Sequence, residues 1–123
     1  MSTVNDIQIG GRHYKKTAYQ HWDFVCDADV HYLVGCATKY VSRWRDKNGV
    51  EDLEKAIHYA DKAKSLGLTR PVRRKFGWRV FLHKFTAQLP EWEATAVTLL
   101  CEGRYDEARS LITQMINREI LSR

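Results

Sequence analysis

Within "KYVSRWRDKNGVEDLEKAIHYADKA", residues 39–63, charged side chains recur at every fourth position: Lys39, Arg43, Lys47, Glu51 and Lys55. Residues four apart on a helix share a face. Lys39 and Arg43 therefore line up on one helix with Tyr40 beside them. Glu51, Lys55 and Tyr59 line up on the next, with His58 close by. Cations converging beside an aromatic ring suit a nucleotide. The cations make charge-assisted hydrogen bonds to phosphate, and the ring lies against the base. Tyr14, Trp22, Tyr40 and Tyr59 are the candidate rings. The same pattern also describes a solvated helix face whose Glu–Lys pairs stabilise by only a few tenths of a kcal/mol. Composition alone favours that plainer reading.

The acids nearby allow three further chemistries. Glu51 and Asp52 suit a magnesium ion or the orientation of a hydroxyl, although both also suit the positive end of a helix. Glu51 and Glu54 form an E-x-x-E pair of the kind that all-α nucleotide pyrophosphatases use for magnesium. Here the partner E-x-x-D is missing, and Asp23, Asp27 and Asp29 would have to replace it. His13, His21, Cys26, His31 and Cys36 crowd one region without C-x-x-C or H-E-x-x-H spacing, so a transition-metal site is disfavoured. No G-x-x-x-x-G-K-[ST] loop occurs, which excludes a P-loop kinase.

The elements that must position these residues read as helices. "STVNDIQIGGRHYKKT" has no helical period and contains Gly10-Gly11, so an extended N-terminal arm is expected. "HWDFVCDA" suits a short helix. Asp29 suits the cap of a helix from Val30, whose core stripe would be Leu33, Val34, Ala37, Val41 and Trp44. Asn48 and Glu51 have capping-box spacing for a helix from Gly49 or Val50 that buries Leu53, Ala56, Ile57 and Ala60 and stops at Gly67. "RPVRRKFGWR" leads into a helix over about 76–88, with Phe76, Val80 and Phe85 toward the core. Its Arg and Lys residues beside Phe76 and Trp78 would also suit a nucleic-acid backbone. Pro90 and Gly103 bound the next helix, and "YDEARSLITQMINREIL" closes a C-terminal hairpin. The fold class is all-α: a compact bundle of about five or six helices.

The 123 residues suit one domain, 1–123, with a motif region at 7–65 and a C-terminal helical region at 70–123. A net charge of +5 favours an anionic partner. No apolar run approaches the ~20 residues of a membrane span, and the opening lacks a signal-peptide pattern, so a cytoplasmic location is expected. Cys26, Cys36 and Cys101 do not suggest a disulfide framework. Apolar residues of the final hairpin, among them Trp92, Val97, Leu100, Leu111 and Ile112, exceed what one hairpin needs and prompt the expectation of a homo-oligomer.

"IQIGGRHYKKTAYQHWDF" followed by "KYVSRWRDKNGVEDLEKAIHYADK" resembles a small bacteriophage domain family of unknown function, often labelled phage nucleotide kinase. The matched positions are Gly10, Gly11, His13, Tyr14, Tyr19, Trp22, Asp23, Lys39, Tyr40, Arg43, Lys47, Gly49, Glu51, Asp52, Leu53, Lys55, Ala56 and Tyr59. Many are polar, which a role confined to the core does not explain. The resemblance implies a nucleotide-binding protein of an infected host cell, with a P-loop-free nucleoside monophosphate kinase as the enzymatic form. Arg12, His13, Tyr14, Trp22, Lys39, Tyr40, Arg43, Lys47, Lys55 and Tyr59 would then bind the ligand, and Glu51 and Asp52 would act in catalysis, with Mg2+ as the candidate cofactor. The alternatives are a non-enzymatic anti-defence protein that sequesters a nucleotide, and a nucleic-acid-binding accessory protein.

Overall fold

In the computed structural model, which describes residues 19–72 and 76–123, six α-helices form a bundle. They are α1 (His21–Ala28), α2 (Tyr32–Arg43), α3 (Val50–Ser65), α4 (Trp78–Thr86), α5 (Glu91–Cys101) and α6 (Tyr105–Leu121), with a 3-10 turn at Trp44–Asp46. The expected N-terminal arm lies outside the described residues, as do Arg73, Arg74 and Lys75 of the basic segment.

The pairing α2–α3 is the most extensive and forms a helical hairpin. α5 packs on α2, α6 on both α3 and α5, and α4 joins α1 to α5. The predicted stripe of α2 is buried at Val34, Ala37, Val41 and Trp44, and Leu33 packs at its edge. On α3, Leu53, Ala56, Ala60 and Ala63 are buried, and Ile57 is partly so. Gly67 ends α3 at φ 68°, which lets the Leu68 N–H donate back to the Ala63 carbonyl at 3.1 Å.

The caps differ from the sequence expectation. Asp29 does not open a helix. It takes a left-handed conformation, φ 55°, and closes α1. His31 opens α2 instead, its Nδ1 accepting from the Leu33 N–H at 3.1 Å. α3 does start at Val50, but the Asn48–Glu51 box does not form. Asp52 takes that role: its Oδ2 accepts from the Asn48 N–H at 3.2 Å and its Oδ1 from Asn48 Nδ2 at 3.4 Å.

Two packing expectations also change. Phe76 and Val80 are exposed rather than turned to the core, because α4 begins only after Gly77 and buries Leu82 and Phe85. The apolar residues that prompted the oligomer are used within the chain. Val97, Leu100 and Ile112 are fully buried, and Trp92 and Leu111 pack against the core, because α5 and α6 lie on α2 and α3. Trp44 and Arg45 anchor α5 as well. Trp44 Nε1 and Arg45 Nε donate to Oε2 of the buried Glu93 at 2.9 and 2.7 Å.

Gly35 faces α1, where an added Cβ would meet the Val25 methyls at 3.7 and 3.8 Å, an ordinary contact. Close approach therefore does not require glycine here. Gly35→Ala should raise stability by about 0.5–1 kcal/mol through helix propensity, read as a higher urea midpoint at unchanged slope. A lower midpoint would mean that α1 must shift to admit the methyl.

Candidate functional site

The α2–α3 hairpin brings together five of the residues expected to bind a ligand. Tyr40 of α2 and Tyr59 of α3 stack, with ring centres 5.8 Å apart and planes 18° from parallel. Lys39 Nζ lies 4.8 Å from the Tyr40 ring centre, the Arg43 guanidinium carbon 4.9 Å and Lys55 Nζ 5.4 Å. Three cations from two helices thus gather around one ring. Ring and cations attract, but like charges this close repel by roughly 1–2 kcal/mol per pair at a surface dielectric.

Two carboxylates offset part of that repulsion. Lys55 pairs with Glu51 across one turn at 3.8 Å, and both side chains are largely exposed. Such pairs contribute about 0.2–1 kcal/mol. Arg43 Nε lies 3.8 Å from Oδ2 of Asp52, which is fully buried. That distance gives attraction without a hydrogen bond. Arg43 Nε is itself buried and has no hydrogen-bond partner among the described residues. Lys39 makes no ion pair among them either. The arrangement leaves net positive charge and unsatisfied donor capacity at one spot, the electrostatic form of an anion site.

α1 reaches α2 next to the site through His21. His21 packs edge-on to Phe24 and Phe85, and its Nε2 lies 2.8 Å from Thr38 Oγ1. Burial, then Lys39 and Arg43, push its pKa down to about 4. The imidazole is therefore neutral near pH 7, and a hydrogen bond to Thr38 fixes the residue that precedes Lys39.

The other expected residues stand apart. Trp22 is half exposed on α1. Lys47 is exposed in the turn between the 3-10 segment and α3. Arg12, His13 and Tyr14 lie outside the described residues, so the expected approach of the arm to Lys39 or Arg43 does too. Glu51 and Asp52 are placed differently from a catalytic pair. One is exposed and the other buried against Asn48. Adjacent residues on a helix project about 100° apart. Among the described residues no group of three or more His, Cys, Asp and Glu side chains could hold a metal ion.

Sequence reasoning missed two residues of this region. In the sequence His21 stands out only as one of the crowded His and Cys residues. Tyr32, 72% exposed at the start of α2, lies outside the four-residue spacing of the charges. It precedes Lys39 by seven residues and Arg43 by eleven, so the helical spacing that revealed the cations could have found it.

A small all-α protein with a cation-ringed tyrosine pair is the class that fold and site define. A DUF3310 domain, described as a protein of unknown function, is found at residues 9–61, which include α1, α2 and most of α3 with all five converging residues. The description names neither a phage origin nor a nucleotide kinase. No curated protein matches the chain, and no solved structure does. No helix among the described residues is long and apolar enough to cross a membrane.

Proposed function

We propose that the protein binds nucleotides, with Lys39, Arg43 and Lys55 holding phosphate beside the Tyr40–Tyr59 pair. The observation that carries this reading is the convergence of three cations on one aromatic ring. Asp52 braces Arg43 from the buried side, which holds the guanidinium without consuming its hydrogen bonds.

Binding without turnover is better supported than a kinase. Asp52 is buried against Asn48, and Glu51 stands exposed beside Lys55. The two carboxylates therefore do not converge on a hydroxyl or a Mg2+ ion. On this reading the protein sequesters a nucleotide, and a role in the cytoplasm of a phage-infected cell is part of the same proposal.

Calorimetry of the full chain against mono-, tri- and cyclic nucleotides, followed by a turnover assay on whatever binds, tests the reading. Arg43→Lys keeps a charge near buried Asp52 but loses the guanidinium fork. Nucleotide affinity should fall by about tenfold, or 1.4 kcal/mol, with little change in melting temperature. Normal affinity in Arg43→Lys removes Arg43 from the site, and failure of every nucleotide in the wild type overturns the reading.

A further inference from the structure

The hairpin of α5 and α6 sets the start of one helix beside the end of the other. There, against the 3-10 turn that follows α2, lies a cavity of about 260 Å³ lined by Trp44, Arg45, Trp92, Met115, Arg118 and Glu119. It shares no residue with the Tyr40 cluster. Met115, Arg118 and Glu119 stand three and four residues apart and so share one face of α6. Trp44 and Met115 are buried, and Trp92 packs partly against the core, which gives the cavity an apolar wall.

Two arginines stand on that wall. The Arg45 guanidinium carbon lies 4.6 Å from the Trp44 ring centre, and that of Arg118 lies 4.8 Å from the Trp92 ring centre. A guanidinium held over an indole still donates through its N–H groups, two at a time, to a carboxylate or phosphate. Arg45 is fixed from behind. Its Nε donates to Oε2 of the buried Glu93 at 2.7 Å, and Trp44 Nε1 donates to the same oxygen at 2.9 Å. The other oxygen of Glu93 is buried and has no hydrogen-bond partner among the described residues. Arg118 and Glu119 make no ion pair among those residues.

Formal charge narrows the class of ligand. Arg45 and Arg118 are balanced by Glu93 and Glu119, so the cavity is neutral as a whole and presents both signs. A phosphate dianion would meet one arginine already paired and a second carboxylate in the wall. A zwitterion finds a partner for each end. Size agrees with a small ligand, since pockets for larger ones hold ~300–1,000 Å³. We propose that this cavity binds a free α-amino acid with an apolar side chain. Its carboxylate takes the N–H groups of Arg118 and the Nη groups of Arg45, its ammonium meets Glu119, and its side chain lies against Trp44, Trp92 and Met115.

The test is calorimetric titration of the full chain with phenylalanine and leucine, and with four probes that each lack part of the match: N-acetylphenylalanine, phenylalaninamide, glycine and inorganic phosphate. Phenylalanine or leucine should bind at least about tenfold more tightly than every one of these, as loss of a charge-assisted hydrogen bond or of a buried side chain dictates. Arg118→Gln should weaken phenylalanine binding by about tenfold or more. Glu119→Gln should reduce it to the level of N-acetylphenylalanine, which has no ammonium to lose. Neither residue is buried, so both variants should melt close to the wild type. Unchanged phenylalanine affinity in folded Glu119→Gln overturns the proposal. So does N-acetylphenylalanine binding as tightly as phenylalanine, inorganic phosphate binding more tightly than either, or failure of every amino acid to bind at millimolar concentration. Each of these outcomes leaves the nucleotide reading intact, because its residues lie elsewhere.

Discussion

Leu53→Ala should lower the stability of the folded chain by about 2–5 kcal/mol, whereas Lys55→Ala, two residues along the same helix, should lower it by less than about 1 kcal/mol. Leu53 is fully buried where α3 meets the core. Its truncation loses the transfer free energy of the side chain and leaves a cavity that neighbouring Ala56 and Ala60 are too short to fill. The Lys55 side chain is 42% exposed, and its ionic partner Glu51 is more so. Urea denaturation of the two variants checks the contrast. Equal losses would mean that Lys55 supports the hairpin through its contact with Tyr40 and is not free to serve a ligand.

Acid should remove about 2–3 kcal/mol of stability through His21 alone. The imidazole has its pKa lowered from 6.5 to about 4 in the folded chain, by burial first and by Lys39 and Arg43 next. Between these values the unfolded chain binds a proton that the folded chain does not. Stability therefore falls as pH drops from about 6.5 toward 4, and this group's contribution is fully present only above 6.5. A depression of this size corresponds to roughly 3 kcal/mol at 1.36 per pH unit, discounted somewhat because the ring is not wholly buried. Most of the loss occurs above pH 5, before the carboxylates titrate. Urea denaturation of wild type and His21→Gln at pH 7 and pH 5 isolates it, since glutamine can keep a hydrogen bond to Thr38 without titrating. The wild type should lose markedly more than His21→Gln. A bound phosphate would cancel the part of the depression due to Lys39 and Arg43, so nucleotide should make the wild type more acid-tolerant than its affinity at pH 7 alone implies.

The helical hairpin and its cations were legible in the sequence because both follow one periodicity. Val34, Ala37 and Val41 recur on the buried side of α2, and Lys39 and Arg43 on the other. Local spacing revealed less where a contact depends on a distant partner. Glu93 stands in the first turn of α5, where an acid needs no distant partner, yet its burial follows from Trp44 and Arg45, which are 49 and 48 residues away in sequence. His21 approaches Thr38 only through the folding of α1 against α2. Asp52 and Glu51 had similar composition and position, but the entry of the chain at Asn48 decided which one was buried. Phe76 shows the converse error. Helical spacing placed it toward the core, and the left-handed Gly77, φ 80°, separated it from the helix that would have carried it there.

Side-by-side calorimetric titration of wild type, Lys39→Ala and Lys55→Ala with the same nucleotide tests most directly whether the cations around Tyr40 form a phosphate site. All three proteins should melt within a few degrees of one another, since neither lysine is buried. The wild type should bind, and each variant should bind at least about tenfold more weakly, a loss of 1.4 kcal/mol or more. Affinity unchanged in both variants, or no binding by the wild type, would contradict the account and leave the cation ring an ordinary solvated face.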